Sequence, residues 1–235
     1  MLLTIDVGNS SARFGIFDHN KLKKDWMVAT KDLLKWEPDK AIDSLPVIVS
    51  SVVPAADKIL KRKLKRPRFV NAGNIKGLKI KLKNKAEIGA DRVVDAYAAI
   101  NLYGTPAIVI DFGTATTFDV ISKNSEYLGG VIAPGIGLSR DILHERTAKL
   151  PLVEIKAPMN IIGDSTVEAM RSGLVFGYAS MVEGIIERLK KITGKKTKVI
   201  ATGGYAKLIA KYARGIDIID IDLTLKGLNL IWQKN

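Results

Sequence analysis

The 235-residue chain contains no cysteine, one glutamine (Gln233) and two histidines, His19 and His144. Without thiols it can form neither disulfides nor thiolate metal sites, and two scattered imidazoles cannot by themselves build a zinc centre. No apolar run approaches the roughly 18 residues needed to span a bilayer. No basic leader precedes the first apolar strand, so a cytosolic location without membrane attachment is expected. Aromatic residues make up only 6% of the chain, and none is interleaved with its basic runs, which argues against base stacking on single-stranded nucleic acid.

What is present is the balance of a globular chain: 47% hydrophobic and 26% charged residues, enough for one large or two modest domains. The formal charge of +13, from 37 basic and 24 acidic residues, is large. Its carriers cluster in Lys61 to Arg68, on alternate positions Lys79, Lys81, Lys83 and Lys85, and in Lys190 to Lys198. These read as solvated faces that help attract an anionic substrate. Any nucleic-acid binding by them would be salt-sensitive and non-specific. Abundant lysine with little glutamine and no cysteine also suits a heat-adapted protein.

Two stretches organise the chain, LLTIDVGNSSARFGIF at 2–17 and IVIDFGTATTFDVIS at 108–122. Each is an apolar strand, then Asp-x-Gly with small hydroxyl or amide residues, then a second apolar run. Such a hairpin exposes one carboxylate at the end of a buried strand, and its small residues let backbone N–H groups approach an anion such as phosphate. A lone Asp-x-Gly is an ordinary turn former. Repeated with Asp6 and Asp111 about half a chain apart, it implies a duplicated domain with both hairpins facing one cleft.

Between these markers the pattern predicts a third strand at 21–28, a mixed and partly helical stretch at 31–43 broken near Pro38, a buried strand at 46–51 and a helix at 55–64. Short strands follow at 69–72 and 78–82, then an Ala-rich helix opened by Glu87-Ile88-Gly89-Ala90-Asp91-Arg92 and running to Tyr103. Gly104-Thr105-Pro106 punctuates the chain and sets the expected domains at 1–104 and 105–235. The second half repeats the meander at 107–110, 116–122 and 127–132, with a helix to about residue 148. A long helical pattern at 165–192 is interrupted by Gly173, Gly177 and Gly184, where close packing against another element is expected. A strand at 199–201, the turn Thr202-Gly203-Gly204, a helix at 205–214 and a last strand at 216–221 complete the reading.

Successive meander-plus-helix units of this kind resemble the duplicated actin-like ATPase (ribonuclease H-like) fold of acetate and sugar kinases, an α/β class with nucleotide bound between two domains. The resemblance implies that the two Asp-x-Gly hairpins are phosphate-binding elements and that the Gly203-Gly204 turn touches the adenosine. No other phosphate motif competes: Gly194-Lys195 lacks the glycine of a P-loop, which falls on Leu189, and the Gly-x-Gly at Gly135 lacks a third glycine.

With Glu-Ile-Gly-Ala-Asp-Arg at 87–92, the resemblance narrows to type III pantothenate kinase. It is carried also by Asp-Val-Gly-Asn-Ser at 6–10, Asp-Phe-Gly-Thr-Ala-Thr-Thr at 111–117, Gly-Gly-Val-Ile-Ala-Pro-Gly at 129–135, Thr-Ala-Lys-Leu-Pro at 147–151, and Thr166 ahead of Ser172-Gly173. The activity it implies is ATP-dependent phosphorylation of pantothenate at the start of coenzyme A synthesis. Phosphoryl transfer needs the nucleotide positioned, its charge neutralised and the acceptor alcohol deprotonated. Asp6 would hold Mg²⁺ through water, since Mg²⁺ takes few carboxylates and keeps several waters. The segment Asp6, Val7, Gly8, Asn9, Ser10, Ser11, Ala12 and Arg13 would bind ATP, as would Thr114, with Arg13 standing where the family often has lysine. By the same resemblance Asp91 is the proton acceptor, Gly89, Ala90, Arg92 and Thr166 line the pantothenate site, and Asp111 coordinates a potassium or ammonium ion. The residues alone would also allow Asp91 or Thr166 to be a helix cap and Arg92 a surface ion pair.

Two positions depart from the family pattern. Leu82 stands where a substrate-contacting tyrosine is usual, and Lys85 where a proline is common, so one pantothenate contact is expected to be missing. The rival readings are a kinase of another small alcohol or sugar on the same fold, and a non-catalytic regulator or nucleic-acid binder. The resemblance also implies a homodimer, and the helix at 165–192 offers a motive, with apolar residues on more than one face and Gly173 and Gly177 on one side.

Overall fold

The computed structural model of the protein describes residues 1–234, whose contacts gather into two compact units. One comprises Met1–Gly104, Ser125–Leu128 and the described residues from Asp222 onward; the other comprises Thr105–Asn124 and Gly129–Ile221.

The first unit opens with the meander β1 (Leu2–Val7), β2 (Ser11–Asp18) and β3 (Lys21–Ala29). The short helix α1 (Lys40–Asp43) leads to β4 (Val47–Ser51), α2 (Pro54–Lys63) and the two-residue β5 (Arg68–Phe69). Strands β4 and β5 add in parallel beside β1, giving the order β3-β2-β1-β4-β5. The two-residue β6 (Lys79–Ile80) lies outside this sheet, and α3 (Ala90–Tyr103) closes the first long segment.

The second unit repeats the plan. Its meander is β7 (Ala107–Phe112), β8 (Ala115–Ile121) and β9 (Glu126–Pro134), followed by the helices α4 (Ile136–Glu145), α5 (Thr166–Ser172) and α6 (Tyr178–Thr193). Then come β10 (Lys198–Thr202), α7 (Ala206–Ile209) and β11 (Ile218–Ile219), in the sheet order β11-β10-β7-β8-β9. The first residues of β9 belong to the first unit, where β6 pairs with them in parallel. Strands β1 and β7 share one burial pattern, five buried positions and a half-exposed aspartate next to last. That match, together with the equal strand order, is the duplication expected from the two hairpins.

The cores follow from the alternation along these strands. Leu3, Ile5, Val7, Phe14 and Val49 pack with Leu60 of α2 in the first unit. Ile108, Ile110, Phe118 and Val199 pack with Leu174, Val182 and Ile186 in the second. Each such side chain contributes about 1.5–3 kcal/mol of burial.

Four expectations need correction. The strands foreseen at 69–72 and 78–82 shrink to two residues each, because β5 and β6 pair only briefly with longer neighbours. The stretch 31–43 is helical only at Thr30–Asp32, as a 3₁₀ turn, and at α1, where the Asp39 side chain accepts from the Ile42 N–H at 3.0 Å. The helix foreseen at 205–214 is confined to α7. Among the described residues the glycines of the long helix do not meet another element: beyond its own stretch of helix, a Cβ at Gly173, Gly177 or Gly184 would find nothing within 4 Å. The helix continues through Gly173–Gly177 as a π-helical turn between α5 and α6. Beyond residue 221, where the sequence pattern predicts no element, α8 (Leu223–Lys234) returns to the first unit and packs on α3, β1 and β4.

Candidate active site

At the first hairpin, β1 ends in Asp6 and Val7. The side chains of Val7 and Ala12 are sealed in the core, so within 6–13 they can offer a ligand only backbone. The Gly8 N–H donates to the Ser11 carbonyl at 3.0 Å, which closes the turn. Thr30 braces it by donating its hydroxyl to the Gly8 carbonyl at 2.7 Å and its N–H to the Ser10 carbonyl at 3.0 Å. Asn9 and Ser10 form the exposed tip. Arg13, directly opposite Asp6 in the register, donates instead to Asp25 at 2.6 Å and Asp222 at 2.5 Å.

Asp6 is half-exposed as a residue, yet among the described residues its buried Oδ1 has no hydrogen-bond partner, and neither has Oγ of Ser50, its neighbour across the β1–β4 pair. Burial, and then the charge of Asp91, push the Asp6 carboxyl up to about 7, against smaller opposing effects of the Ser50 hydroxyl and Arg13. Asp91 lies in the first turn of α3, where its Oδ1 accepts the Arg92 N–H at 2.8 Å, one of the N–H groups a helix start leaves without an intrahelical partner. Burial raises its pKa, while that N–H and the Arg92 charge hold it down. Gly89 is the N-cap of α3, and a Cβ there would collide with Asp91 Oδ1, so this carboxylate needs a glycine beneath it. Ala90 is buried. The Arg92 guanidinium lies 6.0 Å from the ring centroid of Tyr127. Leu82 is half-buried just beyond β6.

Two carboxylates of raised pKa, one with an orphaned buried oxygen, suit a bound cation. Among the described residues no group of three or more His, Cys, Asp or Glu is placed to hold a metal. The donor set thus fits Mg²⁺, which draws most of its ligands from water and phosphate, and not a closed all-protein metal site.

In the second unit Asp111 occupies the corresponding strand position, with Thr202 as its parallel neighbour. Its carboxylate is packed between glycines: a Cβ on Gly113 would come within 3.2 Å of Oδ2, and one on Gly203, whose φ is +88°, would collide with Oδ1 and approach the Phe112 backbone to 2.7 Å. Thr114 is exposed at the turn, and its carbonyl accepts the Gly135 N–H at 3.0 Å. A Cβ on Gly135 would strike the backbone of Gly113 and Thr114. Three motifs distant in sequence, at 111–114, 135 and 203, therefore close on one turn. Thr166 is exposed at the start of α5, whose cap is Ser165, accepting from the Glu168 N–H at 3.2 Å. Thr166 lines an apolar groove of about 750 Å³ with Ile142, Leu143, Met170, Gly173 and Tyr178.

Sequence reasoning missed Ser50, Asp25 and Asp222. Only Asp222 had a local signal, an Asp just before an apolar run of helical period.

Parts of the basic clusters carry their own counter-charges: Lys79 and Lys81 meet Glu126, Lys63 meets Glu37, and Lys65 meets Asp43. No helix of the described residues is long and apolar enough to cross a membrane.

The strand order and the repeated hairpin define the class of the fold, that of the actin-like ATPases. A Sinorhizobium meliloti protein assigned as a 2-dehydro-3-deoxygalactonokinase aligns with TM-score 0.57 at 12% identity, over 99% of this chain and 98% of that one. The inorganic polyphosphate/ATP-glucomannokinase of Arthrobacter sp. strain KM aligns with TM-score 0.53 at 15% identity, over 100% and 99%. A Campylobacter jejuni protein assigned to a Baf family of transcriptional activators reaches TM-score 0.68 at 24% identity, over 99% and 98%. The particular family is given by a family model: residues 2–188 match type III pantothenate kinase, and the chain belongs to that family. Helix α8 lies beyond the matched residues.

Proposed function

We propose that this kinase phosphorylates pantothenate, giving 4′-phosphopantothenate and ADP. The observation that carries the reading is the pairing of Asp6 with Asp91, the second within the Glu87–Arg92 segment of the family match. Asp91, its pKa raised toward the working range of a base, takes the proton of the substrate's primary hydroxyl. The hydroxyl oxygen then bonds to the γ-phosphorus of ATP as the bond to the bridging oxygen breaks and ADP leaves. Asp6 would hold Mg²⁺ through water, and the bound ion would supply neutralisation of phosphate charge. The exposed tip Asn9–Ser10 meets the phosphates. Thr114 contacts ATP, Asp111 holds a potassium or ammonium ion, and Gly89, Ala90, Arg92 and Thr166 border the pantothenate. Leu82 supplies no hydroxyl, which costs one substrate contact.

A homodimer belongs to the same reading. The glycine face of the long helix stands open, and the apolar groove beside Thr166 exposes Ile142 and Leu143, surface that a second copy would cover.

The test is ADP release over pantothenate, N-substituted pantothenamides and hexoses, with and without potassium. Turnover of pantothenate with potassium dependence is expected. Turnover of a hexose but not of pantothenate would overturn the assignment.

A further inference from the structure

Side chains directly opposite on an antiparallel pair share a face, so the register sets Arg13 against Asp6 and invites an ion pair between them. The guanidinium is used elsewhere. Its Nη2 donates to Asp222 at 2.5 Å and to Asp25 at 2.6 Å, and Nε reaches Asp25 at 3.2 Å. Asp6 Oδ1 is left without a hydrogen bond. Of the two anchors Asp222 is the less exposed, at 26% of its side chain against 42% for Asp25, and so the less screened.

Asp222 stands immediately before α8, and its carbonyl accepts the Lys226 N–H at 2.9 Å, opening the helix ladder. The helix is fixed closely on two sides. A Cβ on Gly227 would come within 2.7 Å of the Val94 carbonyl and 3.1 Å of the Ala98 Cβ, both on α3, the helix that carries Asp91. Gly15, two residues beyond Arg13 on β2, lies so near Leu225 that a Cβ would sit 2.9 Å from its Cδ1. Asn229 donates to the His19 carbonyl at 2.8 Å, at the turn between β2 and β3. The carboxylate of Asp222 is therefore held against a rigid support at a set place over the first hairpin.

We infer that Asp222 is a positioning residue: from the start of α8 it holds the Arg13 guanidinium away from Asp6, so that the Asp6 carboxylate stays available to a hydrated Mg²⁺. Without this anchor Arg13 turns to the carboxylate across the strand pair and competes with the metal. The inference rests on the ATP-dependent kinase reading above but not on pantothenate as the acceptor.

The experiment is calorimetric titration of the full-length protein with ADP at a series of Mg²⁺ concentrations, alongside thermal unfolding. Asp222→Asn keeps a side chain able to cap α8 and removes the charge. It is expected to raise the Mg²⁺ needed for half-maximal ADP affinity about five- to tenfold with little change in Tm. The double variant Asp222→Asn, Arg13→Gln should return the Mg²⁺ midpoint of its own titration toward wild type, because the competing cation is gone, whatever the loss of Arg13 does to ADP affinity at saturating Mg²⁺. A purely structural pair predicts instead a lowered Tm in the single variant, with any change in the Mg²⁺ requirement following the loss of stability. An unchanged Mg²⁺ requirement in Asp222→Asn, or no recovery in the double variant, overturns the inference. If the Asn protein does not fold, Asp222→Ser is read in its place. If both fail to fold while Asp222→Glu folds, the ion pair is structural and the inference is wrong. A wild-type protein that binds MgADP and phosphorylates another alcohol leaves it intact, whereas one that binds no MgADP overturns it together with the kinase reading.

Discussion

The carboxylate of Asp91 reaches Asp6 electrostatically, and with burial as the larger cause it lifts the Asp6 carboxyl to about 7. Neither residue is near the other in sequence. The strand end β1 and the first turn of α3 bring them together, and the electrostatic strain between them is what a bound cation would relieve.

This has a signed consequence for the metal-free protein. The folded pKa of Asp6 lies above its ordinary value of 3.8, so the folded state holds the proton more tightly than the unfolded chain does. The associated stability is fully present below about pH 4 and is lost as pH rises through about 7. Asp6→Asn has no charge to bury. In chelator its Tm should match wild type at about pH 4 and exceed it at about pH 8. Equal differences at both pH values would show that Asp6 ionises normally. Adding Mg²⁺ with ADP at the higher pH should stabilise wild type more than the variant.

For Asp91, the general-base role predicts that Asp91→Asn lowers kcat by roughly 10²–10⁴-fold while MgADP affinity changes little. Steady-state kinetics paired with ADP titration separates the two. Undiminished kcat would leave Asp91 as the acceptor of the Arg92 N–H and nothing more.

Gly203→Ala tests the close packing around Asp111. The position has φ of +88°, and its Cβ would enter the space of Asp111 Oδ1 and the Phe112 backbone. A stability loss on the order of 3 kcal/mol is expected from backbone strain and overpacking together, read by denaturant unfolding. A neutral substitution would mean that the β7–β8 turn does not fit this closely on the 202–204 turn.

Gly177 offers the opposite case, because among the described residues nothing beyond its own stretch of helix lies within 4 Å of a Cβ there. Gly177→Leu should leave the folded protomer at least as stable, gaining up to about 1 kcal/mol of helix propensity. If this face joins two copies, the variant sediments as a monomer at concentrations where wild type is a dimer. Wild-type protein that sediments as a fully active monomer would remove the dimer from the functional reading.

Much of this was legible in the sequence, because the relevant forces are local. A buried strand followed by Asp-x-Gly and small residues fixes a hairpin within one stretch of chain, and its repetition announced the duplication now visible in the shared strand order and in the matched burial of β1 and β7. The motif at 87–92 placed Asp91 at a helix start for the same reason, since a helix start is written in adjacent residues, whereas its role as a base was implied only by the family resemblance. What the tertiary structure alone decided was partnership. Arg13 hydrogen-bonds to Asp25 and Asp222, residues 12 and 209 positions away, and acts on Asp6 across the strand pair only through its charge. The glycines at 173, 177 and 184 looked like packing sites and face open space, whereas those at 135, 203 and 227 are the crowded ones. Periodicity tells which side of an element is apolar, but long-range proximity depends on how whole elements pack. That packing placed α8, which the motifs did not announce, over the first hairpin, and it set the electrostatics of Asp6.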